Sequence, residues 1–325
     1  MRVALASGLS LAASAALAQT PELTIYTYDS FVTDYGPGPV IAAAFEEKCG
    51  CTVSFEAFGE GAALLSRIRL EGARSEADIV LGLDTNLIAA AAETGLFAPH
   101  GVTPELDMPV AWDDPLFLPY DWGWFAFVGN VGDDFPTSFR ELAESDLQVV
   151  IEDPRSSTPG LGLVYWVEAA YGDEAPEIWA ALADNILTVT PGWSEAYGLF
   201  TEGEADAALS YTTSPAYHIV AEGDETKAAM AFEEGHYMQV EVAGKLAATD
   251  VPELADAFLA FMLTEGFQSV IPETNWMYPV TMPEGGLGAG WDGLVTPETS
   301  LLYSPEEAAA RRDAAIEAWR TALAR

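Results

Sequence analysis

The sequence predicts an α/β protein of two lobes, each a mostly parallel sheet flanked by helices, meeting at a hinged cleft. Three observations predict it. Short β-rich runs alternate with helical apolar spacing over the first hundred residues; a second such series starts at Val149; and a long aromatic stretch from Phe117 to Val128 separates the two. Alternating strands and helices favour a parallel sheet, because each crossover returns over the sheet face as a helix. Two such lobes joined by more than one crossing make a clam-shell. Strand ends and helix N-termini then face a shared crevice, the usual ligand site of such sheets.

Taken in order, Leu23 to Tyr28 alternates apolar and polar positions and ends at a polar turn, Asp29-Ser30. Val40, Ile41, Ala44 and Phe45 have helical spacing, and Thr52 to Phe58 is a second strand. Glu60 stands between Gly59 and Gly61, after which Ala62, Leu64, Leu65 and Ile68 resume a helical apolar face. Ala77 to Leu83 reads as a short buried strand and Leu87 to Thr94 as the helix behind it. The aromatic run from Phe117 follows a Pro- and Asp-rich segment and is placed as a crossing between lobes.

The second series comprises strand Val149 to Ile151, a helix after Pro159, strand Thr188 to Thr190, a helix from Glu195 and strand Ala207 to Tyr211. Tyr237 to Ala243 is the return strand, with helices from Pro252 to Leu263 and from Pro305 completing the chain. These elements place one lobe at 19–118 and 238–272 and the other at 119–237. Residues 273–325 form a C-terminal segment that supplies a cleft loop and packs on both lobes.

Residues 1–18 are assigned to a cleavable signal peptide. Arg2 supplies the positive end, an Ala- and Leu-rich stretch follows, and Ala16-Leu17-Ala18 fits the small-x-small rule, so the mature chain is expected to begin at Gln19. No later segment offers an uninterrupted apolar run long enough to span a membrane. The exported chain is therefore expected to be soluble and periplasmic.

The formal net charge is −38. Such an acid excess argues against nucleic acid as a partner, which requires a basic footprint. The two cysteines, Cys49 and Cys51, are separated only by Gly50. In an exported chain they are candidates for a disulfide, provided Gly50 forms a turn. A lone C-x-C lacks the companion ligands of a zinc centre, so no metal site is assigned.

Catalytic signals are sparse. His100, His218 and His236 are scattered without metal-ligand spacing, and the motifs of zinc proteases, serine hydrolases and phosphate-binding loops are missing from the sequence. No enzyme activity and no cofactor are implied. The richer signal is aromatic. Tyr28, Trp193, Tyr211, Tyr217 and Trp276 all fall at the ends of predicted elements. Side chains in turns lie mostly at the surface, where their alternatives are packing between lobes or a cage for a flat or cationic ligand. Ser157-Thr158-Pro159 is a strong helix start, presenting free N–H groups suited to an anion. Glu60 reads either as a helix N-terminal charge or as a carboxylate facing a cationic ligand.

These residues lie in blocks by which the chain resembles the periplasmic thiamine-binding proteins of ABC importers. The blocks are TIYTYDSF from Thr24, DYGPGPV from Asp34, ADIVLGLDTNL from Ala77, EDPRSSTPGLGL from Glu152, GWSEAYGLF from Gly192, LSYTTSPAYH from Leu209, EGHYMQVEVA from Glu234 and NWMYPV from Asn275. They cover nearly all of the mature sequence. The resemblance implies a type II periplasmic-binding-protein fold and, as partners, thiamine or its phosphates and the membrane permease of an ABC importer, the protein acting as a monomer. It implies that Tyr28, Trp193, Tyr211 and Trp276 sandwich the heterocycles and that Ser157 and Tyr217 meet a phosphate. Glu60 takes the place of the family's aspartate beside a retained Gly61, one methylene longer. Asp84 and Asn86 lie in a matching block without an assigned contact. A thiamine-cleaving enzyme of the same fold, and an iron(III) or polyamine binder, are the alternatives.

Overall fold

The computed structural model describes residues 20–132 and 134–324; the signal-peptide assignment falls outside them. The first lobe opens with strand β1 (Glu22–Thr27), helix α1 (Gly38–Cys49), strand β2 (Thr52–Ala57), helix α2 (Gly61–Glu71), strand β3 (Ile79–Asp84), helix α3 (Ile88–Ala92) and strand β4 (Phe97–Ala98). β1 runs parallel to β2 and β3 on either side. Helix α1 ends where Gly50 turns left-handed (φ 63°) and returns its N–H to Glu46 O, a stop that a Cβ would strain. That turn brings the Cα atoms of Cys49 and Cys51 to 5.2 Å, and the two are disulfide-bonded.

Strand β5 (Phe117–Asn130) leads into the second lobe: helix α4 (Phe139–Glu144), strand β6 (Val149–Glu152), helices α5 (Thr158–Tyr171) and α6 (Ala175–Leu182), strand β7 (Ile186–Thr190), helix α7 (Trp193–Thr201), strand β8 (Ala207–Tyr211), the one-turn helix α8 (Pro215–Tyr217) and strand β9 (Lys227–Ala229). Strand β10 (His236–Leu246) then returns to the first lobe, followed by helices α9 (Pro252–Phe261) and α10 (Glu265–Gln268). Strands β11 (Tyr278–Pro279) and β12 (Ser300–Leu301) and helix α11 (Pro305–Leu323) complete the chain. The short pieces α4, α6, β4, β9, β11 and β12 go beyond the sequence reading. Two- and three-residue strands carry no periodicity, and α6 follows α5 after only a brief break at Gly172.

The principal strand order is β2-β1-β3-β10-β5-β8-β6-β7. The outer ladders are parallel, but the two long central strands are not: β10 runs antiparallel to β3 and β5, and β5 runs antiparallel to β8. β5 changes partner midway. Phe117 to Trp124 pairs with β10, whereas Phe125 to Gly129 pairs with β8. The boundary between the two ladders thus falls on this strand at Trp124–Phe125.

Apolar packing does not stop at that boundary. The largest core cluster runs from Leu64 and Leu65 of α2 through Val80, Phe117 and Phe125 to Leu161, Trp166 and Trp319. A second cluster, including Ile25, Phe45, Leu118 and Phe258, fills the other face of the first-lobe sheet. Helix α11 packs against α3 of one lobe and α5 and α6 of the other. Its start is fixed by a reciprocal capping box between Ser304 and Glu307, which satisfies two otherwise unpaired N–H groups. Among the described residues no single helix is long and apolar enough to cross a membrane.

Candidate ligand-binding cleft

A cavity of about 520 Å³ lies between the lobes, inside the ~300–1,000 Å³ range of small-molecule sites. Tyr28 and Glu60 enter it from the first lobe, Trp193, Tyr211 and Tyr217 from the second, and Trp276 from the C-terminal segment. Ser157 and Gly61, the other two predicted site residues, are buried and stand behind the wall.

The aromatic side chains are held by their own partners. Trp193 is the first residue of α7; its ring stacks on Tyr197 at 5.0 Å and 21°, and its Nε1 donates to Ser210 Oγ at 2.8 Å. Tyr211 ends β8 and donates its phenol proton to Gln239 Oε1 at 2.8 Å. Tyr217 donates to Glu222 Oε1 at 2.9 Å and meets Trp276 edge-on at 5.5 Å and 70°. Trp276 has φ 55°, the one positive φ outside glycine among the described residues. Its N–H closes the turn of 271–275 onto Ile271 O at 3.0 Å. A bulky residue in this conformation is strained by on the order of 1 kcal/mol, and such strain concentrates at ligand clamps.

Glu60 makes a contact that neither sequence reading included. It precedes α2, yet its carboxylate reaches across the cleft to the N-termini of two second-lobe helices. Oε2 accepts from Thr158 N at 3.0 Å and Oε1 from Trp193 N at 2.5 Å. The Ser157 hydroxyl, at the same helix start, receives Gly160 N at 3.3 Å. Burial raises the Glu60 carboxyl above its ordinary range, and the nearby Ser157 hydroxyl and the two N–H bonds oppose the rise. The donors expected to meet a phosphate are thus engaged by a side chain of the protein itself. Glycines make the approach possible. A Cβ on Gly192 would sit 2.6 Å from Glu60 Oε1, and one on Gly61 would sit 2.8 Å from Thr158 Oγ1. Gly61 N also donates to that hydroxyl at 3.2 Å.

The floor of the cavity is acidic. Register pairs Asp84 of β3 with Glu241 of β10, and Glu241 with Asp121 of β5, so three carboxylates form a row across three strands. All three are buried, and Glu241 reaches the cavity. Tyr120 donates to Glu241 Oε2 at 2.9 Å, and Tyr28 Oη lies 3.3 Å from the same oxygen and 3.1 Å from Asn275 Oδ1. Asn275 Nδ2 donates to Asp121 Oδ2 at 2.6 Å, and Asn86 Nδ2 to Asp84 Oδ2 at 2.8 Å. Desolvation raises all three carboxyls, Asp84 and Glu241 each to about 7; Glu241 raises Asp121 further, whereas Asp121 opposes the rise at Glu241. None of the ion pairs among the described residues involves them.

Sequence reasoning missed Glu241, Asp121 and Asn275, along with Tyr197 behind Trp193. The available signal was an acid inside an otherwise apolar strand; which acids become neighbours is set by register. The histidines serve the fold. His100 joins Asp114 O and Val102 N, and His236 lies between Phe125 O and Phe232 N, its proton affinity lowered by burial. His218 spans Tyr197 and Glu222. His218, Glu222 and Asp224 gather ligand-type atoms within 4.8 Å of one another, but both imidazole nitrogens of His218 are already engaged.

A two-lobed fold with an aromatic, acid-floored cavity between its halves defines a solute-binding protein. The chain belongs to the bacterial extracellular solute-binding protein family, whose model matches residues 25–274. The thiamine-binding periplasmic protein of Escherichia coli (strain K12) is 51% identical over 325 residues, covering 98% of each chain. The solved structure of a periplasmic thiamin binding protein matches at TM-score 0.92 and 50% identity, over 98% of this chain and 100% of that one. Iron-bound HitA from Pseudomonas aeruginosa, 22% identical over 93% of this chain and 99% of that one, matches at TM-score 0.73 and shares the fold, that of the type II periplasmic binding proteins.

Proposed function

We propose that the chain captures thiamine between its lobes, outside the cytoplasmic membrane, and delivers it unaltered to the permease of an ABC importer. One observation carries this reading: aromatic faces from both lobes enclose a cavity whose charged side chains, Glu60, Glu241 and Glu273, are all carboxylates. Thiamine carries a permanent positive charge on a flat thiazolium ring. Stacked aromatics in a partly dry cleft attract such a cation, each face contributing about 0.5–2 kcal/mol. The relatives named for thiamine support the same ligand. Its phosphates are taken too, but a phosphate at the Ser157 helix start must displace Glu60, so the unphosphorylated vitamin is the preferred ligand.

Ligand bridging the lobes shifts an open–closed equilibrium toward closure, and the closed surface docks on the permease. The lobes are 19–118 with 238–272, and 119–237; the change of partner along β5 falls a few residues inside the second of these, at Trp124–Phe125. Residues 1–18 are removed on export, and the mature protein acts in the periplasm as a monomer. Among the described residues the cavity wall holds no cysteine to serve as the nucleophile of a thiamine-cleaving enzyme. Iron(III) would need phenolates. The phenols of Tyr211 and Tyr217 are both raised, by burial first and by neighbouring carboxylates second, which opposes that chemistry. Calorimetric titration of Trp193→Ala and Trp276→Ala tests the reading. Each is expected to bind thiamine roughly 2- to 30-fold more weakly; wild-type affinity in both would reject the stacking claim.

A further inference from the structure

We propose that Asp121 and Glu241 act as one proton-sharing acid that ionises when a cationic ligand enters the cavity, so that binding expels about one proton into solvent. The inference rests on the reading of the ligand as an organic cation, and it assigns the ligand's countercharge to two residues at the cleft floor.

The geometry imposes the sharing. Asp121 and Glu241 are direct cross-strand partners on β5 and β10, both buried and linked through Tyr28 and Asn275, and such a pairing sets two side chains against one another on one face of the sheet. Two carboxylates in such contact cannot bond unless one carries a proton. Among the described residues, the groups facing the pair are neutral or acidic: Tyr28 after β1, Asp84 on β3, Tyr120 on β5, Tyr211 on β8, Glu60 before α2 and Asn275. With no cation present, a fully ionised pair in a buried site would be repelled both internally and by Asp84 and Glu60, so one proton stays bound. Asp121 Oδ1 is buried and receives no donor from the protein, which leaves it open to a proton shared with Glu241.

A positive charge stacked between the rings reverses this balance. Glu241 reaches the cavity, so the cation sits against the pair and favours its charged form, and the carboxyl proton leaves to bulk water. The three donors already in place, from Tyr28, Tyr120 and Asn275, are oriented to stabilise the resulting carboxylates. The sign follows. Because the empty protein holds a proton that the complex lacks, affinity rises with pH, by up to about tenfold per unit where the empty pair is still protonated.

The experiment titrates thiamine into the full mature protein at neutral pH in buffers of different ionisation enthalpy. The dependence of observed heat on buffer enthalpy counts the protons released. Wild-type protein is expected to release about one. Glu241→Gln and Asp121→Asn, which mimic the protonated partner, are expected to release none and to bind roughly tenfold or more weakly. Circular dichroism confirms that both variants fold. In the ligand-free protein, the infrared carbonyl band of a protonated buried carboxyl is expected in the wild type and diminished in each variant. Thiamine binding without proton release, or variants that keep wild-type release, would overturn the proposal while leaving the ligand assignment intact. Failure of thiamine to bind would instead reject that assignment, and the infrared band would still decide whether the pair holds a proton: its absence overturns the proposal.

Discussion

Glu152 ends β6 fully buried, and neither of its carboxyl oxygens has a hydrogen-bond partner among the described residues. Burial first, and the nearby Glu60 second, push its carboxyl well above the usual range. A raised carboxyl leaves folding unpenalised below about pH 4.5 and penalises it progressively as pH climbs toward the folded value. Glu152→Gln is therefore expected to melt at a higher temperature than wild type at neutral pH, by roughly 2–4 °C for each kcal/mol relieved. The difference should shrink toward zero near pH 4, and thermal melts at both pH values check it. At this scale the sequence was informative where a side chain announces itself by type and position. Tyr28, Trp193, Tyr211, Tyr217 and Trp276 are large aromatics at element ends, and all of them line the cavity. Glu152, Asp121 and Glu241 showed only as acids inside apolar strands, and in so acidic a chain that signal does not single them out until burial and register are known.

Between elements, the contact that matters most is Glu60 gripping α5 and α7 from the start of α2. Two helix N-termini offer free N–H groups and positive dipole ends to the same carboxylate, an arrangement that favours the ionised form despite its enclosure. This ties the lobes together at the mouth of the cleft, while α11 and the shared core tie them at the back. Glu60→Ala leaves the Thr158 and Trp193 N–H groups without that acceptor and is expected to shift the ligand-free protein toward an open form. Small-angle scattering should then give a larger radius of gyration for the variant than for wild type without ligand, and the same value once both are saturated. The strands and long helices were readable from period-two and helical spacing to within a few residues, as for β5, expected from Phe117 to Val128 and found from Phe117 to Asn130. The helix starts at Ser157 and Pro305 were readable from capping chemistry. What each start would hold was not: the Ser157 start suggested an external anion, and the structure supplies an internal one.

For the molecule as a whole, a net charge of −38 makes the compact state repel itself, and salt screens that repulsion. The melting temperature is expected to rise by several degrees between about 20 mM and about 500 mM sodium chloride, and a melt series across ionic strength checks the sign. The sequence alone determined the order of strands and helices, the presence of two α/β series and the aromatic character of the cleft, because each is written in local pattern or composition. Tertiary structure alone decided that β10 and β5 run antiparallel through the centre, that β5 serves both lobes, that Glu60 spans the cleft and that three acids meet beneath it. The physical reason is register: a strand's period places alternate residues on one face, but only pairing with a neighbour fixes which residue of another strand lies opposite.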